Sequence, residues 1–346
     1  MSRTFTQIPV LDIGPLLAGV QHPGYLATVR ALAEAAHEVG FMQLVGHGLE
    51  AQQARLLEVT RRFFALPEAE KRKIYIGHSS NHRGYVPFGE EIMASGQPDT
   101  KEAFDLSIDL PPDHPAVLAG TPLLGPNQWP ELDGFRETVT AYYDAAFALG
   151  KVVFRAFAVG LGVDPELFLQ KVNVPPSQLR LLHYPHNADA VDRPGIGEHT
   201  DYECFTLLKP TAPGLEVFSP DGNWIPVPYR EDALVLNIGD LLELWTDGYY
   251  VATSHRVRQV KEERYAFPLF FTVDYETEVA PLEAFRKSDA VKPLRSGDHL
   301  LAQVMQSFRY QLERLEKGER KLPEGARPYY SLGREAGATE AGRGAC

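Results

Sequence analysis

Apolar residues recur at helical spacing in four stretches and at strand spacing through much of the rest. Leu26, Val29, Leu32, Ala33, Ala36 and Val39 fall on one helix face, and Gly40 ends that helix as a C-cap. Leu56, Leu57, Phe63 and Phe64 mark a second helix, stopped at Pro67. Phe135, Val139, Tyr142, Ala146, Val153, Phe157 and Leu161 predict a long helix across 130–162, and Leu300, Val304, Phe308, Leu312 and Leu315 a single C-terminal one. Short strands are predicted at 8–13 and 41–45. From residue 179 the period changes, and apolar runs broken by turn residues predict strands at 179–184, 205–209, 215–218, 224–227, 233–238, 250–257 and 264–273. Ser219-Pro-Asp-Gly222 reads as a hairpin turn and Asn237-Ile-Gly-Asp240 as a sharp reversal. Residues 78–130, rich in Gly, Pro and Asp, read as loop, of the kind that serves binding.

The pattern predicts a mainly β fold with flanking helices, a jelly roll of two sheets whose interior takes a small ligand. An α/β N-terminal region with substrate-side loops covers 1–130. The long helix, the jelly-roll core and the C-terminal helix cover 131–333, and a disordered tail covers 334–346.

Composition narrows the function. The 346 residues carry 34 Lys and Arg against 46 Asp and Glu, a net charge of −12, which disfavours nucleic acid and anionic membranes as partners. The long helix is interrupted by Lys151 and Arg155, which argues against a membrane span. Two cysteines, Cys204 and Cys346, make no disulfide framework, and the N-terminus has no apolar signal core; both point to the cytoplasm.

Chemistry gathers in Gly195-Ile-Gly-Glu-His-Thr-Asp201, just ahead of the apolar run Phe205 to Leu208. Strand alternation would put His199 and Asp201 on one side. His255, in Ala252-Thr-Ser-His-Arg-Val257, supplies a second imidazole. Two histidines and one carboxylate leave metal positions open, the arrangement that suits non-haem Fe(II) and O2; a structural zinc would want four protein ligands. Arg264, in an apolar strand, needs an anion if it faces inward, as does Arg180 in Leu179-Arg-Leu-Leu182. That anion is either a bound carboxylate or a protein Asp or Glu.

These residues carry a family resemblance. His199-x-Asp201, His255-Arg-Val257, Arg264, Leu182-His-Tyr-Pro185 and Asn237-Ile-Gly-Asp240 resemble the Fe(II)- and 2-oxoglutarate-dependent oxygenases of the isopenicillin N synthase-like group. Ile8-Pro-Val-Leu-Asp12, Gly40-Phe41, Gly46-His-Gly48 and Ala65-Leu-Pro-Glu-Ala-Glu-Lys71 resemble its N-terminal region, so the likeness spans almost the whole chain. It implies a double-stranded β-helix with Fe(II) on His199, Asp201 and His255. It also implies 2-oxoglutarate reaching Arg264 and Tyr184, and O2 consumed to oxidise a small molecule with release of succinate and CO2.

Two positions depart from the group. The usual Arg-x-Ser is Arg264-Tyr-Ala266, and the usual Asn two residues before the Tyr is Leu182. An isopenicillin N synthase-type oxidase, with Arg264 on a substrate carboxylate and no oxo acid, is therefore the alternative, and a non-catalytic metal-binding barrel is another. Ethylene-forming enzyme, in the same group, resembles this chain in having Ala at the first of those positions, and along the loop from Gly84 to Asp99 with its Gly89-Glu90-Glu91. That likeness implies that Arg180 steadies the cosubstrate and that Glu91, with Glu90, takes a cationic group of an amino-acid-like substrate. Arg83, Tyr85 and Tyr202 are further candidates for the substrate mouth. Phe205 is divided between pocket and core, Cys204 is expected to point away from the metal, and His47, His183 and His186 are read as structural or exposed.

Overall fold

The computed structural model describes residues 4–92, 99–187, 194–258, 261–288 and 291–327; the predicted tail lies outside them. The strands are β1 (Val10–Asp12), β2 (Phe41–Val45), β3 (Gly84–Val86), β4 (Glu102–Leu106), β5 (Gln178–Tyr184), β6 (Pro194–His199) and β7 (Phe205–Pro210). They continue with β8 (Leu215–Phe218), β9 (Trp224–Pro226), β10 (Leu234–Ile238), β11 (His255–Arg258), β12 (Arg264–Phe271), β13 (Glu278–Val279) and β14 (Leu294–Arg295). An eight-stranded sheet runs β1-β2-β10-β7-β12-β5-β4-β3, and a four-stranded sheet runs β6-β11-β8-β9. The chamber lies between the two.

Alternation along the large sheet separates two environments. Tyr265, Phe267, Leu269 and Phe271 of β12, Leu179 and Leu181 of β5, and Phe205 and Leu207 of β7 join the core under the helices. Their neighbours Arg264, Ala266, Pro268, Phe270, Arg180, Leu182, Tyr184, Thr206 and Leu208 line the chamber instead. The helix Phe135–Gly160 braces the outer face, and Gly150 lets it approach so closely that a Cβ there would strike the Phe271 ring. Phe205 is thereby assigned to the core, stacked on Phe271 at 4.7 Å.

Several elements differ from the sequence pattern. Residues 78–130 supply β3 and β4, which extend the large sheet beside β5, so the N-terminal region shares the barrel's own sheet. Strand β6 has too little apolar content to announce itself, and it pairs at His199 with His255 of β11. The apolar residues 250–254 lie in a loop because Tyr250 is buried under the long helix, its hydroxyl donating to the Phe157 carbonyl at 3.3 Å. Asp240–Trp245 forms a short helix after the predicted reversal. The C-terminal helix is two, Ser296–Ser307 and Arg309–Glu316, broken at Phe308, which is extended at φ −109° and ψ 131°. Phe308 makes an antiparallel bridge with Glu91, so the break is bonded to the loop that covers the chamber.

Candidate metal centre

His199 ends β6, His255 opens β11, and Asp201 sits in the bend beyond β6. Convergence therefore comes from strand pairing and a turn; alternation within one strand, the sequence rationale, does not apply to Asp201. One ligand atom from each residue lies within 4.8 Å of the others. Both imidazole Nε2 atoms stand 3.7 Å from Asp201 Oδ1. That spacing spans a single ion with metal–ligand bonds of about 2.0–2.2 Å.

The surroundings aim these atoms. His199 Nδ1 bonds the Gly197 carbonyl at 2.8 Å, and His255 Nδ1 meets the Thr253 carbonyl at 3.3 Å. Protons on both Nδ1 atoms leave the Nε2 lone pairs for a metal. Asp201 Oδ2 accepts from the Thr206 hydroxyl and from Asn237 Nδ2, which frees Oδ1. Burial works to raise the Asp201 pKa, but the two histidines and these donors outweigh it and hold the carboxylate ionised. Burial, aided by His199, lowers His255 to about 4, so it is neutral and ligand-ready at neutral pH.

At the other end of the chamber, Arg264 is 1% exposed, and its Nε and Nη1 have no hydrogen-bond partner among the described residues. Tyr184 is its cross-strand partner. The guanidinium lies 4.9 Å from the Tyr184 ring centroid, and the Tyr184 hydroxyl is likewise buried without a partner. A buried cation and a hydroxyl, both short of acceptors and facing one chamber, fit a ligand carboxylate. Ala266 and Leu182, the two departures, pair directly across β12 and β5. They form one apolar patch on the chamber wall beside Arg264.

The remaining candidates divide. Arg180 grips Asp105 through Nε and Nη2, both at 2.8 Å, and Glu91 through Nη1 at 3.0 Å. Its anions are therefore protein carboxylates, one of the two outcomes the sequence left open. Glu91 also bonds Lys101 at 2.6 Å, and Lys101 bonds Asp99. Burial would raise the Glu91 pKa; Lys101 and Arg180 overcome that and bring it to about 2. Glu91 reaches the chamber wall as a paired carboxylate, while Glu90 turns away to accept from the Tyr310 backbone N–H. Tyr202 lines the chamber. Arg83 and Tyr85 do not: Arg83 donates to the carbonyls of His82 and Leu123, and Tyr85 donates to Glu102 at 2.7 Å. Tyr85 is drawn away because β3 turns it into the packed junction with β4, and Arg83, just ahead of β3, is drawn to the two carbonyls. Cys204 is buried in the core, and burial pushes its thiol pKa far up, so it is inert. His183 is held between Glu102 and Glu263, His47 Nδ1 accepts from the Leu49 N–H, and His186 is exposed.

Sequence reasoning missed Thr206 and Asn237 as the groups that orient Asp201, and Asp99 and Lys101 on the chamber wall. Alternation from Phe205 and Leu207 gave a signal for Thr206; Asn237 stood out only within Asn237-Ile-Gly-Asp240, and nothing local tied it to Asp201, which it reaches from a strand far along the chain.

Comparison with known proteins decides the family. Residues 175–273 match the 2OG-Fe(II) oxygenase superfamily, and residues 8–132 match the family described as non-haem dioxygenase in morphine synthesis N-terminal. Clavatol oxidase of Penicillium crustosum is 34% identical over 307 residues, covering 82% of this chain and 91% of that protein. The chain belongs to the 2OG-Fe(II) oxygenase superfamily. Homoarginine-6-hydroxylase of Glycine max is 33% identical to this oxygenase over 334 residues, 89% of this chain and 99% of that one. The crystal structure of a full-length Neurospora crassa protein in complex with alpha-KG and thymine superposes with a TM-score of 0.71 at 28% identity, covering 90% of this chain and 97% of that one. The oxygenase is thus an Fe(II)- and 2-oxoglutarate-dependent dioxygenase that oxidises a small molecule and releases succinate and CO2. Among the described residues no helix is long and apolar enough to cross a membrane.

Proposed function

We propose that His199, Asp201 and His255 hold the iron, that Arg264 and Tyr184 hold the far carboxylate of 2-oxoglutarate, and that the substrate is amino-acid-like with a cationic group. The observation that carries the cosubstrate assignment is the unpartnered guanidinium of Arg264, buried on the same chamber as the triad. Bound Fe(II) and 2-oxoglutarate supply the oxidising chemistry with O2. The chain's own part is positional. Thr206 and Asn237 fix Asp201 so that one oxygen faces the metal. Leu182, Leu208, Val257 and Ala266 exclude water from the chamber wall. Arg264 and Tyr184 fix the cosubstrate's orientation by its remote end.

For the substrate, Glu91, Asp99, Lys101 and Arg180 share one wall, and with Asp105 behind Arg180 the set is three carboxylates against two cations. One incoming positive charge balances that set, and the likeness to a homoarginine hydroxylase supports such a group. Glu91, already shared between Lys101 and Arg180, would exchange part of that pairing for the substrate cation. Arg180 then acts through Glu91 and Asp105, and its proposed contact with the cosubstrate is secondary.

The test mixes the protein anaerobically with Fe(II) and 2-oxoglutarate, follows the visible charge-transfer band, then admits O2 and measures succinate. Cationic amino acids are expected to raise succinate yield above the uncoupled rate. Oxygen uptake that needs no oxo acid would overturn the cosubstrate assignment, and stimulation by neutral compounds alone would overturn the substrate class.

A further inference from the structure

Beside the iron chamber is a second, narrow cavity that shares Arg180, Tyr202 and Phe270 with it. On its wall Arg83 is 1% exposed, yet among the described residues no carboxylate pairs with it. Its Nη1 donates to the His82 carbonyl at 2.8 Å and its Nη2 to the Leu123 carbonyl at 2.6 Å, while Nε has no partner. Carbonyls solvate a guanidinium without neutralising it, and the Asp105 carboxylate that attracts Arg83 from a distance is itself gripped by Arg180. Arg180, by contrast, has its charge taken by Asp105 and Glu91.

His82 lines the same wall. Its Nδ1 lies 2.7 Å from the Tyr310 hydroxyl, which also accepts from Gln311 Nε2 at 3.0 Å, and its Nε2 stands 3.8 Å from Asp105 Oδ2. Glu203 also faces this cavity, with Oε2 unpartnered. The opposite side is apolar, formed by Leu300, Val304 and Phe308. A buried cation at one wall, a carboxyl at another and an apolar lining describe a receptor for an organic acid.

We propose that this cavity is a subsite for the carboxylate of the oxidised substrate, with Arg83 as its cation and Glu203 receiving a neighbouring N–H group. The inference rests on the substrate reading above, which seats the cationic end at Glu91 near the iron and leaves the acid end to be held beyond Arg180 and Tyr202. Oxidation would then fall near the cationic end of the molecule.

The experiment titrates the full chain, loaded anaerobically with Fe(II) and 2-oxoglutarate, with L-homoarginine, L-arginine and L-lysine and with their methyl esters. Perturbation of the visible band reports binding. The acids are expected to act at concentrations roughly 10- to 100-fold lower than the esters. Arg83→Gln is expected to erase that difference and Arg83→Lys to restore part of it, with the band itself reporting a folded barrel. Equal binding of acids and esters by the wild type, a measurement that needs no variant, would overturn the subsite, as would an undiminished preference in Arg83→Gln. A normal band and normal succinate formation with no response to any of the acids would also overturn it while leaving the oxygenase reading intact. Absence of the band altogether would remove both.

Discussion

Arg264 and Arg83 are both guanidinium groups buried without a carboxylate partner among the described residues. A buried unpaired charge destabilises its host, so Arg264→Leu is expected to raise the stability of the ligand-free protein by about 1–3 kcal/mol in urea unfolding. The same change is expected to raise KM for 2-oxoglutarate roughly 100-fold, since a charge-assisted carboxylate contact is lost. A variant less stable than wild type, with KM unchanged, would refute the assignment. His299 offers a pH readout away from the metal ligands. Burial, then Arg327, brings its pKa to about 3. Below about pH 6.5 the unfolded chain takes a proton on this imidazole that the folded chain refuses until about pH 3. Stability present at neutral pH is therefore lost as pH falls through that window, by about 1.4 kcal/mol per pH unit. Comparing urea midpoints of wild type and His299→Gln at pH 7 and pH 5 isolates this contribution; parallel declines would refute it.

Paired strands, rather than single ones, build the two halves of the site. His199 and His255 are partners across β6 and β11, and Arg264 and Tyr184 are partners across β12 and β5. Next along that second pair, Ala266 faces Leu182, so the two positions that depart from the family pattern are a single apolar contact. Ala266→Ser is expected to place a hydroxyl on the chamber wall near the cosubstrate and lower KM for 2-oxoglutarate by about threefold to tenfold in a succinate assay. No gain would mean that the apolar patch excludes the carboxylate. The break at Phe308 works similarly: it bridges Glu91, and its ring lies 5.4 Å under the Arg180 guanidinium. Phe308→Ala is expected to cost about 3–5 kcal/mol in stability. Loss of succinate coupling to substrate should accompany that cost, because the Arg180 guanidinium that pairs with Glu91 loses the ring it rests on; coupling retained in the folded variant would separate Phe308 from the site.

Across the whole molecule, the N-terminal region is inseparable from the barrel. Strands β2 and β4 hydrogen-bond β10 and β5 in one sheet, and Tyr85 and Lys71 both bond Glu102 at the junction. Removing residues 1–130 would leave two long apolar edges unpaired. The fragment 131–346 is expected to aggregate, and a soluble fragment with native circular dichroism would contradict this.

Periodicity alone determined the three long helices before the barrel and most of its strands, because burial on one face of an element is a local property of the chain; the break at Phe308 and the helix Asp240–Trp245 carried no such signal. Residue type determined the candidate triad, since few side chains bind iron while leaving positions open. Only the tertiary structure decided what each charged residue meets. Arg180 and Arg264 are indistinguishable in their apolar strands, yet one faces Asp105 across a neighbouring strand and the other faces the chamber with nothing to bind. The partners of Arg180 lie 75 and 89 residues away, and such contacts are fixed by sheet register, which no local pattern records.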